Sequence, residues 1–350
     1  MRKLASIQKI ISLEPIPNAD SIERAQVLGW QCVVKKGEFK AGDLVVYFEV
    51  DSFLPIRETY EFLRKQCYKK MLDEEGFRLR TIRLRGQVSQ GLVMPLSVIE
   101  DGNAAGSNDF KEGEDVTELL KVKLYQPPIP AELMGKVKGQ FPSFIPKTDE
   151  TRVQVLQGVL DRHEGLLCYV TEKIDGASVT YYIKGGEFGV CSRNLELYET
   201  PENGLWRFAR DNKIEEKLKE IGINIAIQGE FYGEGINGNN LRVKGHRVAF
   251  FNVFYIDTYQ YEGYGFAEII GKLGLETVPI VMYPFNLIND IPTLVQMSQT
   301  KSVLNPNVER EGIVIRPIDE KMDLQMSSTF GNGRLTFKVI NPEFLLLERD

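Results

Sequence analysis

The chain has 350 residues, 43% of them hydrophobic and 26% charged, with a formal net charge of −6. That is length enough for two domains with substantial cores, and charge enough for a soluble chain. The negative balance excludes a protein coated in positive charge for non-specific DNA binding, while leaving room for a local basic groove. No apolar run approaches the roughly 18 residues of a membrane span. The basic start, Met1 to Lys9, is not followed by the apolar core of a signal peptide. The expectation is an intracellular, by default cytoplasmic, protein with no membrane partner. Cys32, Cys67, Cys168 and Cys191 form no Cys-x-x-Cys pair, which argues against a zinc cluster or a disulfide framework. His163 and His246 are the only histidines. They leave little room for a serine–histidine–aspartate arrangement, so catalysis here must draw on Lys, Glu, Asp and Arg.

The first third reads as short strands broken by turns. Residues 7–16 are strand-like and closed by Pro15 and Pro17; Asn18, Ala19 and Asp20 make a turn. Strand patterns resume over 22–28, 29–35, 44–50, 78–86 and 91–96. A helical insertion is expected near 57–72. The pattern predicts a small β-barrel or sandwich. Arg64, Lys65, Lys69, Lys70, Arg78, Arg80, Arg83 and Arg85 concentrate positive charge here, with Tyr68 and Phe77 interleaved. That mixture suits backbone contact and base stacking on a single nucleic-acid strand. A solvated face balanced by Asp73, Glu74 and Glu75 is the alternative.

Pro127, Pro128, Pro130, Pro142 and Pro146 favour extended chain and mark a domain boundary. Residues 146–154 read as a helix start, capped by Thr148 or Asp149. An apolar strand at 165–170 and an alternating one at 177–183 flank Thr171-Glu172-Lys173-Ile174-Asp175-Gly176. That hexapeptide reads as a hairpin turn, with Gly176 letting the backbone reverse. Residues 203–221 have helical spacing at Leu205, Phe208, Ala209 and Leu218. Residues 223–233 and 248–257 are buried strands, the first with Glu230 set into it. Glu311 heads an apolar strand, and Lys338 lies inside the strand at 335–340. Charged residues are rarely placed in strands this apolar unless they are paired or functional. Lys173, Glu230, Glu311 and Lys338 therefore read as one site assembled from separate strands.

Six elements occur in order: Lys173-x-Asp175-Gly176, Ser192-Arg193-Asn194, Gly229-Glu230-x-x-Gly233, a Phe-rich strand, Glu311-Gly312-x-Val314-x-Arg316, and Lys338. This set resembles the covalent lysyl-nucleotidyltransferases, which are ATP-dependent DNA and RNA ligases and mRNA-capping guanylyltransferases. The stretch from Glu14 to Tyr47, with its Pro17–Asp20 turn, resembles oligonucleotide-binding (OB) folds of the tRNA-binding kind. Only twelve residues follow Lys338, too few for the OB domain that DNA ligases and capping enzymes carry after their last motif. An OB domain placed first is similar to the RNA ligases of the Naegleria and Deinococcus type, as are residues 146–154 and 171–176. The resemblance implies an α+β fold. An OB-fold β-barrel at 1–120 and a linker at 121–147 precede a nucleotidyltransferase domain of ATP-grasp-like antiparallel sheets with helices at 148–350.

The implied activity is that of an ATP-dependent RNA ligase of RNA repair. It joins RNA 3′-hydroxyl and 5′-phosphate ends, as at nicks in a duplex, through lysyl-AMP and RNA-adenylate, and acts as a monomer. The rivals are a DNA ligase, a capping guanylyltransferase, or a non-catalytic nucleic-acid-binding relic. The implied cofactors are ATP, with AMP carried covalently on Lys173, and Mg²⁺ or Mn²⁺. Lys173 is the nucleophile, Glu230 and Glu311 serve catalysis, and Lys338 neutralises the α-phosphate. Asp175, Glu230 and Glu311 hold the metal, partly through water. Phe254 stacks on adenine, the backbone at Glu172 reads its edge, and Arg193 meets the ribose or the RNA end. Arg316 is expected to support Glu311. Arg152, Arg83 and Arg85 are the candidate RNA contacts, with a surface helix arginine as the plainer reading of Arg152. Many RNA ligases carry Lys-x-Lys in the last motif, where this chain has Thr336-Phe337-Lys338; Arg334 is the candidate replacement.

Overall fold

The computed structural model describes residues 3–71, 74–100, 110–125, 136–327 and 333–347. Asp73 and the prolines at 127, 128 and 130 lie outside these. The chain divides into two compact units, residues 1–129 with 345–350, and residues 130–344.

The first unit contains β1 (Ala5–Pro15), β2 (Ile22–Val27), β3 (Trp30–Lys35), β4 (Leu44–Phe48), β5 (Ser52–Pro55), β6 (Tyr68–Met71), β7 (Glu74–Arg78), β8 (Thr81–Leu84), β9 (Gln87–Gln90), β10 (Leu92–Pro95) and β11 (Lys123–Leu124). One sheet runs β10–β4–β1–β2–β3. Its β3 alternates as a half-buried strand should, with Trp30, Cys32 and Val34 inward. The sheet curls, bringing β3 to β9: the Val33 N–H donates to Ser89 Oγ at 2.9 Å. The insertion is helical only from Glu58 to Cys67. Tyr68–Met71, expected as helix, is a strand because Tyr68 finds Phe77 as its cross-strand partner. Much of the positive charge here is already paired. Arg64 meets Glu61 at 2.6 Å, Lys70 meets Glu75 at 3.0 Å and Arg78 meets Asp51 at 3.1 Å.

The second unit contains β12 (Val137–Gln140), β13 (Thr151–Arg152), β14 (Leu167–Lys173), β15 (Ala177–Lys184), β16 (Glu187–Ser192), β17 (Leu195–Leu197), β18 (Ile225–Gly233), β19 (His246–Tyr255), β20 (Gln260–Tyr261), β21 (Ile280–Asn286), β22 (Gly312–Pro317) and β23 (Phe337–Ile340). They form two sheets, β12–β17–β16–β15–β18–β19–β20 and β13–β23–β22–β14–β21. The larger packs Tyr181, Ile227 and Phe250 against helices Gly204–Asp211, Ile214–Ile221 and Phe266–Lys272. The smaller packs Val170, Ile313 and Val339 against helices Gln157–Arg162 and Ile291–Ser298. Each sheet thus buries one face on helices, and residues of both opposite faces line the slot described below.

Three local expectations change. Of the helix expected at 146–154, only a 3-10 turn at Val153–Val155 forms. Thr151–Arg152 instead pairs in parallel with Phe337–Lys338, and the helix begins at Gln157 without a side-chain cap. The segment 203–221 is two helices. Asn203 Oδ1 caps the first by accepting from Leu205 N–H at 3.0 Å, and Lys213, with φ +51°, breaks the chain before the second. Finally, β14 and β15 do not form a hairpin. They belong to different sheets, and the strand continues through Lys173, so the chain between them crosses over rather than folding back. Gly176 is required for closeness, not reversal: a Cβ there would lie 2.5 Å from the Phe231 carbonyl and 2.9 Å from Glu230 Cγ.

Candidate active site

Strand register assembles the charged group. On β14, Lys173 lies opposite Gly312 of β22, which sets Glu311 at its side; Lys173 Nζ is 2.6 Å from Glu311 Oε1. On the facing sheet, Glu230 of β18 pairs with Ser178 of β15, just past the crossover. On β23, Lys338 lies opposite Val314, itself opposite Thr171. Alternation puts Lys338 on the face that carries Lys173.

The site's electrostatics are dominated by burial and by crowded carboxylates. Burial pushes Glu230 up from 4.5 to about 8; Lys173 opposes this, and Glu311 and Asp175 add to it. Glu311 is also raised by burial, against the pull of Lys173. For Lys173, burial works to lower the proton affinity, but Glu311, Glu230 and Asp175 outweigh it and the net shift is upward. By itself, then, the site holds a proton on the lysine and crowds carboxyls with too little positive charge nearby to ionise them all.

That imbalance fits a divalent cation. Glu311 Oε2 is buried and has no hydrogen-bond partner among the described residues. Yet among the described residues no three His, Cys, Asp or Glu side chains are grouped to hold a metal ion directly. Asp175, Glu230 and Glu311 are suited to a cation that keeps much of its water.

A slot opens beside this group, lined by Thr171, Val314, Phe251, Val278, Glu150 and Arg316, among others. Its aromatic wall is Phe251. Phe254, the expected adenine platform, is fully buried, packed against Tyr259 and Tyr261 with ring centroids 5.1 and 4.9 Å away. The reason is a β-bulge in β19: Gln228 pairs with Asn252 and Gly229 with Phe250, which leaves Phe251 as the extra residue. Arg316 does not support Glu311 either. Its guanidinium meets Glu150 at 3.2 Å and lies 5.7 Å from the Phe251 ring centroid. Arg316 Nε and Nη1, both buried, have no hydrogen-bond partner among the described residues.

The larger cavity adjoining this slot, about 260 Å³, shares Thr148 and Glu150 with it and has Arg334 and Thr336 in its wall. Arg334 is not a spare phosphate ligand. It is buried, paired with Glu320, donates to Asn252 Oδ1 at 2.9 Å and lies 3.8 Å from the Tyr261 ring centroid. The β23 residue on the rung of Lys173 is Ile340, which is opposite Gly312; Thr336 lies beyond the other end of the ladder.

Arg193 is exposed and paired with Asp149, and its charge is felt by Glu230. Arg152 is on a strand, not a surface helix, and lies beside Lys338. Arg83 donates to the Gly86 carbonyl at 2.7 Å, and Arg85 takes the turn at φ +49°. The Glu172 side chain is occupied: it accepts from Ser302 Oγ–H and, at 2.7 Å, from Val303 N–H. Its backbone N–H is taken too, donating to the Pro279 carbonyl at 2.8 Å. Sequence reasoning passed over Asn237 and Asn240, which hold the Asp175 carboxylate from the β18–β19 loop.

Residues 167–340 match the family model for RNA ligase, and residues 4–96 match a model for an OB-fold domain. The whole chain is similar to the RNA ligase of Naegleria gruberi solved with PPi, at 39% identity, covering 99% of this chain and 98% of that one, with a TM-score of 0.84. The chain belongs to the RNA ligase family. A mutant of the Naegleria gruberi enzyme solved with ATP and Mn matches at 39% identity over 100% of both chains, with a TM-score of 0.85. Another, solved with AMP and Mn, matches at 38% identity over 98% of both, also with a TM-score of 0.85. No curated protein gives a significant match. The fold of this family member is α+β, an OB-fold unit followed by the two-sheet unit that carries the lysine. Among the described residues no helix is long and apolar enough to cross a membrane.

Proposed function

We propose that this chain is an ATP-dependent RNA ligase that uses ATP and a divalent cation to seal RNA 3′-hydroxyl and 5′-phosphate ends, as at a nick. The observation that carries this reading is the Lys173–Glu311 pair, 2.6 Å apart, at the head of the slot walled by Phe251.

In the first step the Lys173 Nζ lone pair forms an N–P bond to the α-phosphorus of ATP, and the bond to the bridging oxygen breaks to release pyrophosphate. Lys173 must first give up a proton. Glu311 Oε1 is in hydrogen-bond contact with Nζ, and burial raises this carboxyl's own proton affinity, so it is placed to take that proton. A divalent cation, when held by Asp175, Glu230 and Glu311 partly through water, supplies positive charge that favours proton loss and offsets charge at the phosphate. Lys338 adds a further positive charge on the same face. Phe251 offers its ring to the adenine, and the backbone at Glu172 reads the base edge. AMP then passes from Lys173 to an RNA 5′-phosphate, and the 3′-hydroxyl displaces it. Arg193 is the candidate contact for the nucleotide or the RNA end, and Arg152, Arg83 and Arg85 are candidate RNA contacts. The protein acts as a monomer.

The test is a panel of nicked duplexes with RNA or DNA on each side of the break and in the template. Sealing is expected where RNA supplies the 3′-hydroxyl. Sealing confined to all-DNA nicks, or covalent labelling by GTP in preference to ATP, would overturn the reading.

A further inference from the structure

The loop between β18 and β19 reaches the site at one residue. Asn240 Nδ2 donates to Asp175 Oδ2 at 2.9 Å. Asn237 Nδ2 donates to the Gly176 carbonyl at 2.5 Å and stands 3.4 Å from Asp175 Oδ1. The backbone here is unusual: Gly235, Asn237, Gly238, Asn239 and Arg242 all have positive φ. At the non-glycine positions, Asn237, Asn239 and Arg242, strain of this kind persists only where the surroundings over-determine it, and it gathers at functional sites. The surroundings do so here. Asn239 bonds Val243 twice, at 2.9 and 3.0 Å, and Asn305 Nδ2 donates to the Leu241 carbonyl at 3.0 Å, with Leu241 itself in the core.

Asp175 is two residues from Lys173 and opposite in charge, so an unrestrained carboxylate is a competitor for the ammonium. The lysine instead pairs with Glu311, and the Asp175 oxygens face amide donors. A neutral donor fixes a carboxylate without cancelling its charge. We infer that Asn240, supported by Asn237, is a positioning residue for AMP transfer, holding Asp175 off the nucleophile and open to the nucleotide or the cation. This inference rests on the adenylyltransferase reading above.

The decisive variants are Asn240→Ala and the near-isosteric Asn240→Asp. At saturating ATP, the single-turnover rate of AMP transfer to Lys173 should fall roughly tenfold or more in Asn240→Ala, the usual scale for losing an outer partner of a site carboxylate. Asn240→Asp should be slower still, because it replaces a donor with a like charge. A role in loop packing alone predicts the opposite order. In an Asp175→Asn background, adding Asn240→Ala should change the ATP-dependent rise in melting temperature little, a readout that survives loss of activity. An Asn240→Asp rate equal to or above that of Asn240→Ala, or equal losses in both backgrounds, overturns the inference. Absence of AMP transfer in the unaltered protein removes the adenylyltransferase reading, and this inference with it.

Discussion

Glu311 Oε1 lies 2.6 Å from Lys173 Nζ, while Glu311 Oε2 is buried with no partner among the described residues. One carboxylate thus has a proton acceptor's contact with the nucleophile and an unused oxygen suited to a hydrated cation. Glu311→Ala should lower the rate of AMP transfer by roughly 100-fold or more, the range for losing a positioned proton acceptor. Single-turnover labelling at saturating ATP measures it, and a loss under threefold would remove Glu311 from the chemistry.

Glu230 gives a pH signature. Its carboxyl is held at about 8 in the folded chain against an ordinary 4.5. The folded protein therefore binds this proton more tightly than the unfolded one. The resulting stabilisation is full below the ordinary value and is lost as pH rises through about 8. Melting temperature without divalent cations should fall across that window, and Glu230→Gln should flatten the fall. Adding Mn²⁺ should flatten it too, since cation and proton compete. An unchanged slope in Glu230→Gln would contradict the assignment.

Phe251 and Phe254 should separate cleanly. Phe251→Ala removes a wall of the slot and should raise the ATP concentration needed for half-maximal AMP transfer, with a loss of roughly 1–3 kcal/mol of stacking. Phe254→Ala empties a packed core site and should cost about 3–5 kcal/mol of stability. Denaturant unfolding together with ATP titration distinguishes them.

Lys338→Ala and Arg334→Ala should differ in the same way. Lys338→Ala should abolish most AMP transfer at near-normal stability. Arg334→Ala leaves Glu320 and Asn252 without their partner and should destabilise on the order of 3 kcal/mol. Urea unfolding of both variants is the check.

What the sequence disclosed and what it withheld have physical causes. Lys173, Glu230, Glu311 and Lys338 stood out because charge inside an apolar strand needs a reason, and strand register then brought them together. Phe251 stayed hidden because one bulge at Gln228–Gly229 defeats any count by alternation along β19. The crossover at Ile174–Gly176 looked like a hairpin because local pattern cannot say that β14 pairs with β21 and β22, more than a hundred residues away. Arg316 was assigned to Glu311, five residues before it and just ahead of the same strand, whereas its partner Glu150 is 166 residues distant. Asn237 and Asn240 lie in a loop, where no periodicity marks a residue as facing the site.

The most direct measurement is mass-spectrometric mapping of the protein after incubation with ATP and Mn²⁺. One AMP is expected, attached to Lys173 by an acid-labile bond, and none in Lys173→Met. AMP on another residue, or labelling that persists in Lys173→Met, would contradict it.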